Sequence, residues 1–333
     1  MSIHKTLDST FRPALTSIEI CAGAGGQALG LERAGFEHIA LVEYEKWSCT
    51  TLRQNRPNWN VIEGDVREFS TKDHSDVDLL AGGVPCPPFS VAGHRLGQDD
   101  ERDLFPEALR LVGEAEPRAV MLENVRGLLA PKFEDYRQQI KDRLRFLGYP
   151  DPQWRLLNAS DFGVPQLRPR AILVAIREDA GEFTWPEPMQ TSAPTVGEAL
   201  AYLMAAGGWT GAMEWATRAN TVAPTLVGGS HKHGGPDLGP TRAREAWLKL
   251  GVNGSTLAEE PPGPDFDGIP RLTVQMAAVI QGFPAEWKIA GRKTAAYRQV
   301  GNAFPPPVAE AVGRAIYDAI ATQYSVELVT SAD

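Results

Sequence analysis

The chain has 333 residues, 43% of them hydrophobic and 23% charged, enough for one large domain with a sizeable core plus a smaller one. It contains no run of about 18 apolar residues, and MSIHKTLDSTFRPALTS lacks the apolar stretch of a secretory signal, so neither a membrane span nor a leader is expected. The formal net charge of −9 excludes a general phosphate-binding surface, so a nucleic-acid role requires a local basic face.

From residue 16 to about 177, short apolar runs alternate with helical patterns, which predicts an α/β unit with a mostly parallel, doubly wound sheet. Candidate strands are Thr16 to Ala22, Ile39 to Glu43, Val77 to Gly82, Ala119 to Glu123 and Ala171 to Ile176. Phe133, Tyr136, Ile140, Leu144 and Leu147 recur at helical spacing, and Gly148 follows as a C-cap. After about Glu187 periodicity weakens, and Gly, Pro, Thr and His become frequent up to Pro270, which predicts an inserted, loop-rich domain. Near Leu272 the α/β character returns, and Val308 to Ile320 closes the chain as a helix. The expected division is 16–186 plus 271–325 for the large domain and 187–270 for the small one.

The first strand runs through SIEICAGAGGQALGLERAGF, where Gly23, Gly25 and Gly26 let the backbone turn sharply and approach a ligand. Glu43 ends the next strand about twenty residues on, where an acid can grip ribose hydroxyls. Asp65, in Gly64-Asp65-Val66 after a third apolar segment, is placed to meet an adenine or ribose edge. Gly23-x-Gly25-x-x-Ala28 satisfies the relaxed dinucleotide fingerprint, so a nucleotide-type ligand is expected, its identity open.

The three cysteines, Cys21, Cys49 and Cys86, are widely spaced and lack any C-x-x-C pattern, which fits a reducing compartment and argues against a disulfide framework. Cys49 reads as packing. Cys86 differs, since GGVPCPPFS places its thiol on a stiff loop just past a strand. Glu123 and Asn124 end a further strand, and QLRPR, with Arg168 and Arg170, leads into the last. In a doubly wound sheet the carboxyl ends of strands converge on one crevice, which brings Cys86 and Glu123 to one ligand. A thiol, a carboxyl and guanidinium groups suit nucleophilic attack on an electron-poor ring. The thiolate is the nucleophile, the carboxyl engages a ring nitrogen, and an arginine can hold a carbonyl oxygen.

Eight blocks now stand in order: EICAGAGG, VEYEKW, GDV, GGVPCPPFS, ENV, QLRPR, RLTVQMAAVIQGFP and YRQVGNAFPPPVAEAVG. In these, from about Ser17 to Ile316 without the variable middle, the chain resembles the cytosine-C5 DNA methyltransferases of bacterial or phage type. The resemblance implies a Rossmann-like, S-adenosylmethionine-dependent fold. It implies that Cys86 adds to C6 of a flipped cytosine, that Glu123 engages N3 and the exocyclic amine, and that Arg168 and Arg170 support O2 and the site's geometry. It places the methyl donor, and S-adenosylhomocysteine as product, against Cys21, Ala22, Gly23, Gly25, Gly26, Glu43, Tyr44, Asp65, Val66, Pro85, Asn302 and Ala303, with no metal.

Ser90 to Arg102 resembles the family's mobile loop, making Ser90, His94, Arg95 and Arg102 DNA contacts. The implied partner is double-stranded DNA, the implied form a monomer in the cytoplasm near the nucleoid, and a separately acting restriction endonuclease is left open. The chain departs from the family pattern at Pro87, where glutamine is common, at Cys21, where an aromatic is common, and at RLTVQMAA, which lacks the usual proline-arginine.

Residues 187–270 fill the place of the family's target recognition domain and hold five Lys/Arg against nine Asp/Glu, so they form no general phosphate sponge. Their basic groups concentrate at Lys232, Arg242 and Arg244, which are predicted to face the major groove with Asn220, Thr221 and Thr225. His231 and His233 lack a cluster at ligand spacing, so a metal is not expected. A nicotinamide oxidoreductase leaves Cys86, Glu123 and the arginines without a shared purpose, and a zinc deaminase needs a P-C-x-x-C that PCPPF does not supply. A transfer-RNA cytosine methyltransferase has the same core but typically carries Cys-Phe-Thr in the target region, where this chain has no cysteine. A non-catalytic DNA-binding protein has no need of Cys86, Glu123, Arg168 and Arg170 together.

Overall fold

A computed structural model describes residues 14–75, 77–85, 103–229 and 235–330, with side chains described as far as residue 324. Strands β1 (Leu15–Ile20), β2 (Phe36–Glu43), β3 (Val61–Glu63), β4 (Leu79–Gly83), β5 (Ala119–Val125), β6 (Gln153–Asn158) and β7 (Pro169–Ile176) form one sheet in the order β3-β2-β1-β4-β5-β7-β6. The first five are parallel, and β7 runs antiparallel to both β5 and β6. Strands β1, β4, β5 and β7 are near-continuous buried runs, as strands covered on both faces must be. The edge strand β6, QWRLLN, is largely solvated and carries no such run, so it is absent from the sequence expectation.

The helices are α1 (Gly26–Ala34), α2 (Lys46–Asn55), α3 (Phe105–Ala115), α4 (Glu134–Phe146), α5 (Val196–Ala205), α6 (Ala212–Arg218), α7 (Thr241–Lys249), α8 (Val274–Ile280), α9 (Lys293–Asn302) and α10 (Pro306–Thr330). One face of the sheet is covered by α1 and α10 through Leu31, Ala34, Val308, Val312 and Ile316, and the other by α3 and α4 through Phe105, Leu111, Ile140 and Leu144. Helices α1 and α10 touch at Gly30, where a Cβ would stand 2.5 Å from Ala309 Cβ, so only glycine permits this approach. Near residue 324, α10 is fastened to the sheet: Tyr324 Oη donates to Asp78 Oδ1 at 2.9 Å, Asp78 Oδ2 accepts from Thr16 N at 2.8 Å, and the Arg118 guanidinium lies 4.1 Å from the Tyr324 ring centroid.

Residues 187–270 carry three short helices, α5 to α7, between irregular connections. Their buried residues Leu200, Met204, Trp215 and Trp247 share one cluster with Met276 of α8 and Tyr297 of α9. Helix α7 buries Trp247 alone, which leaves no periodic stripe for a sequence reading to find. Among the described residues no helix is long and apolar enough to cross a membrane.

Candidate active site

The strand order reverses at β1, so the carboxyl ends of β1, β2, β4 and β5 open onto one crevice. A cavity of about 790 Å³ fills it. The loop from β1 to α1 forms its floor. Cys21 adopts a left-handed backbone at φ 54°, costly for a side-chain-bearing residue, and Gly23 follows at 55°. At Gly26 a Cβ would stand 2.1 Å from Phe304 O, so this glycine lets the 303–304 turn close against the start of α1.

Cys21, Ala22, Gly23 and Gly26 line the cavity from this loop, Glu43 and Tyr44 from the end of β2, and Asp65 and Val66 from the turn after β3. Pro85 lines it from the end of β4, and Asn302 and Ala303 from the end of α9. Gly25 differs from the expected ligand contact. Its Cα faces Leu52 and Trp287, which a Cβ would meet at 2.7 and 3.1 Å, and its part is the left-handed turn (φ 83°) that starts α1.

Glu43 is buried, and its carboxylate accepts from Gly23 N at 2.7 Å and Glu45 N at 2.8 Å, so it fixes the glycine loop. Burial raises its pKa, and these backbone donors partly offset the rise. Two donors leave lone pairs for further hydroxyls. Asp65 accepts from Arg67 N at 3.0 Å and stays accessible at the cavity edge. Tyr44 is 67% exposed at the mouth, its phenol pushed up to about 12 by desolvation and Glu45. Cys49, expected as packing, is fully buried and donates its thiol to Glu43 O at 3.2 Å.

Glu123 lines the far side of the cavity. The antiparallel register pairs Glu123 with Ile172 and Val125 with Arg170, which makes Glu123 and Arg170 diagonal neighbours on one face. Arg170 Nε donates to Glu123 Oε1 at 2.7 Å. Burial raises the Glu123 carboxyl, against the lowering pull of Arg170 and Arg168. Asn124 donates to Val84 O at 2.7 Å, and Leu104 N donates to Pro85 O at 3.3 Å, so the two flanks of residues 86–102 are tied to β5 and to each other.

Arg168 does not line the cavity. It is wholly buried and donates to Leu226 O at 2.7 Å, Gly301 O at 2.7 Å and Ala303 O at 2.9 Å. Of the two roles expected for it, base contact and support of the site, these contacts serve the second. Desolvation and the Arg170 charge pull its pKa down, yet the intrinsic basicity of a guanidinium and three carbonyl acceptors keep it charged. Gln166 extends the clamp by donating to Gln281 Oε1 at 2.8 Å and accepting from Leu226 N at 2.8 Å.

The cavity also takes Glu19, Gln27, Trp47, Arg298, Gln299 and Phe304, which the sequence reading passed over. For Glu19 a signal existed: a carboxyl inside a central apolar strand has no bland place to go. Arg242 and Arg244 are exposed on α7, as are Asn220 and Thr221 before it, whereas the Thr225 hydroxyl is committed to Leu167 O. Cys86, Ser90, His94, Arg95, Arg102, Lys232, His231 and His233 lie outside the described residues. Among the described residues no group of three or more His, Cys, Asp or Glu could hold a metal ion.

Known proteins resemble this chain over most of its length. The profile of the family "C-5 cytosine-specific DNA methylase" matches residues 15–318. The chain is 58% identical to the type II methyltransferase M.NaeI of Lentzea aerocolonigenes, over 92% of this chain and 76% of that one. It is 56% identical to the type II methyltransferase M.NgoMIV of Neisseria gonorrhoeae, over 92% of this chain and 98% of that one. In fold it is similar to a prophage-encoded DNA modification methyltransferase of E. coli (TM-score 0.65, 22% identity, 92% of this chain and 99% of that one). It is likewise similar to a DNMT2 variant of Spodoptera frugiperda (TM-score 0.64, 16% identity, 91% and 100% covered). The chain belongs to the C-5 cytosine-specific DNA methylase family and is an enzyme of DNA cytosine-5 methylation.

Proposed function

We propose that the chain methylates a cytosine flipped out of duplex DNA by covalent catalysis from Cys86, in one cavity shared by the base and the methyl donor. The observation that carries this reading is that Glu123 opens onto the same cavity as Glu43, Asp65 and the glycine loop, with Pro85, the residue before Cys86, on its wall. The volume of about 790 Å³ suits a nucleoside-sized ligand, and buried polar atoms of Glu19 and Gln27 without a protein partner offer it hydrogen bonds.

The Cys86 thiolate bonds to C6, and the C5=C6 electron pair moves to C5. Glu123, whose hold on a proton burial strengthens against the pull of Arg170, delivers a proton to N3 and so draws electron density from the ring. Arg170 holds Glu123 in place, and Arg168 holds the Ala303 turn that lines the donor's side. S-adenosylmethionine, when bound, supplies an electrophilic methyl group for C5. A base then removes the C5 proton, the C5=C6 bond re-forms, and the Cys86–C6 bond breaks to return the thiolate. Arg242 and Arg244, exposed on α7, reach the DNA, together with Lys232, Ser90, His94, Arg95 and Arg102. The type II methyltransferases at 56–58% identity support a modification role beside a separate restriction endonuclease.

The test is transfer of labelled methyl from S-adenosylmethionine to genomic DNA and to transfer RNA side by side, with Cys86→Ala in parallel. Label in DNA that vanishes in the variant is expected. Label in transfer RNA alone, or undiminished transfer by the variant, overturns the reading.

A further inference from the structure

At the first turn of α1 two polar side chains are buried against the cavity. Gln27 is 3% exposed, and among the described residues neither its Nε2 nor its Oε1 has a hydrogen-bond partner. Glu19, 1% exposed on β1, takes a backbone hydrogen bond from Ala28 and leaves Oε2 without a partner. Both line the 790 Å³ cavity, next to Gly26 and Phe304. Folded proteins seldom leave an amide donor and acceptor both unmade at such depth, so each such group needs a partner that the protein itself does not supply. The surroundings define which chemistry fits. A buried carboxyl and the free carboxamide of Gln27 stand at the amino end of a nine-residue helix, so cation and anion recognition are offered side by side. A zwitterionic amino-acid group satisfies all of these at once. A neutral apolar group would leave Gln27 with both amide functions unmade.

We propose that Gln27 is a specificity residue for the methyl donor, hydrogen-bonding the carboxylate of its amino-acid end while Glu19 faces the ammonium of the same group. The inference rests on the cavity being the donor site. It assigns Gln27 a role distinct from the glycine loop, whose contribution is backbone shape. Burial first and the nearby Glu43 charge second raise the Glu19 pKa well above the ordinary range, and a cation beside it would pull it back down. That fits a site completed by its ligand.

The test is calorimetric binding of two probes to the full chain. S-adenosylhomocysteine carries the amino-acid end, and 5′-deoxy-5′-methylthioadenosine lacks it. The variant is Gln27→Met, close in shape and without hydrogen-bonding capacity. Losing a hydrogen bond to a charged group should weaken S-adenosylhomocysteine about 10- to 100-fold, with methylthioadenosine unchanged, which also shows that the variant is folded. Equal loss of both probes marks Gln27 as packing and overturns the proposal, as does no change in either. If the unaltered protein binds neither probe, the donor-site reading itself falls, an outcome visible before any variant is made.

Discussion

Arg170 Nε stands 2.7 Å from Glu123 Oε1, with only a tenth of either side chain exposed. Two charges at that depth are stable only together. Replacing Arg170 by Met leaves the carboxyl buried without its cation, at a cost of about 3–5 kcal/mol in unfolding free energy. It also removes a charge that holds Glu123 down against burial, so any limb of the rate–pH profile belonging to Glu123 moves to higher pH. A Met variant as stable as the parent, with the same profile, would show that the pair does neither job.

Glu123→Gln separates chemistry from binding. The amide keeps the shape and can still meet the exocyclic amine, but it cannot titrate or donate a proton to N3. Turnover should fall about 10²- to 10⁴-fold, while DNA affinity measured by fluorescence anisotropy changes little. Parallel losses in turnover and affinity would mean that Glu123 shapes the cavity and takes no part in the reaction.

Arg168 acts at a distance, through carbonyls. Its guanidinium gathers Leu226, Gly301 and Ala303, and so joins the middle of the 187–270 segment to the turn that walls the cavity. Lysine cannot serve three acceptors spread around a plane. Each buried carbonyl left unmade costs about 1–3 kcal/mol, so Arg168→Lys should lower the denaturation midpoint and weaken S-adenosylhomocysteine binding together. Unchanged stability with slowed turnover would instead restore Arg168 to the base.

The sequence carried the sheet's interior and the order of the site's blocks, because central strands are mostly apolar and a carboxyl at a strand's end, such as Glu123 on β5, breaks that pattern visibly. It did not carry β6, an edge strand whose solvated residues have no apolar run, or α7, which buries only Trp247. Gly25 and Arg168 show the other limit. Gly25 stands between Gly23 and Gly26, which line the cavity, and Arg168 beside Arg170, which pairs with Glu123, yet Gly25 turns its Cα to Trp287 and Arg168 runs into the core, and only three-dimensional direction separates them from their neighbours. Gln27 went unread because its significance is a missing partner, which no linear pattern records, whereas the Glu19 carboxyl inside an apolar strand was a signal passed over.

Among the described side chains, Tyr324 is the last that fastens α10 to the sheet, through Asp78 and the face it offers Arg118. Tyr324→Phe keeps the ring under the guanidinium and removes the hydroxyl's hydrogen bonds to Asp78 and Arg118, so about 0.5–1.5 kcal/mol per bond should be lost. Tyr324→Ala removes the stacking surface as well and should lose more. Thermal unfolding of the three proteins would order them parent, Phe, Ala; a Phe variant below the Ala variant would contradict the latch.

Glu19 sets a stability against a function. Its pKa is raised by burial first and by Glu43 second, so the folded chain holds a proton that the unfolded chain has already released above the ordinary carboxylate range. The unfolded state then binds fewer protons than the native one, and stability falls as pH rises through the folded value. Glu43, raised for the same first cause, adds to the slope in the same direction. Glu19→Gln removes the titrating group while preserving its shape. The ligand-free variant should therefore melt higher than the parent at neutral pH, by about 2–4 °C for each kcal/mol recovered, and its melting temperature should decline less between pH 5 and 8. The same change removes the carboxylate expected to meet the donor's ammonium, so S-adenosylhomocysteine should stabilise the variant less than it stabilises the parent. Parallel melting curves across the pH range would show that burial at Glu19 is relieved by some other group. A variant both more stable and equally responsive to the ligand would leave the buried carboxyl without a purpose in this cavity.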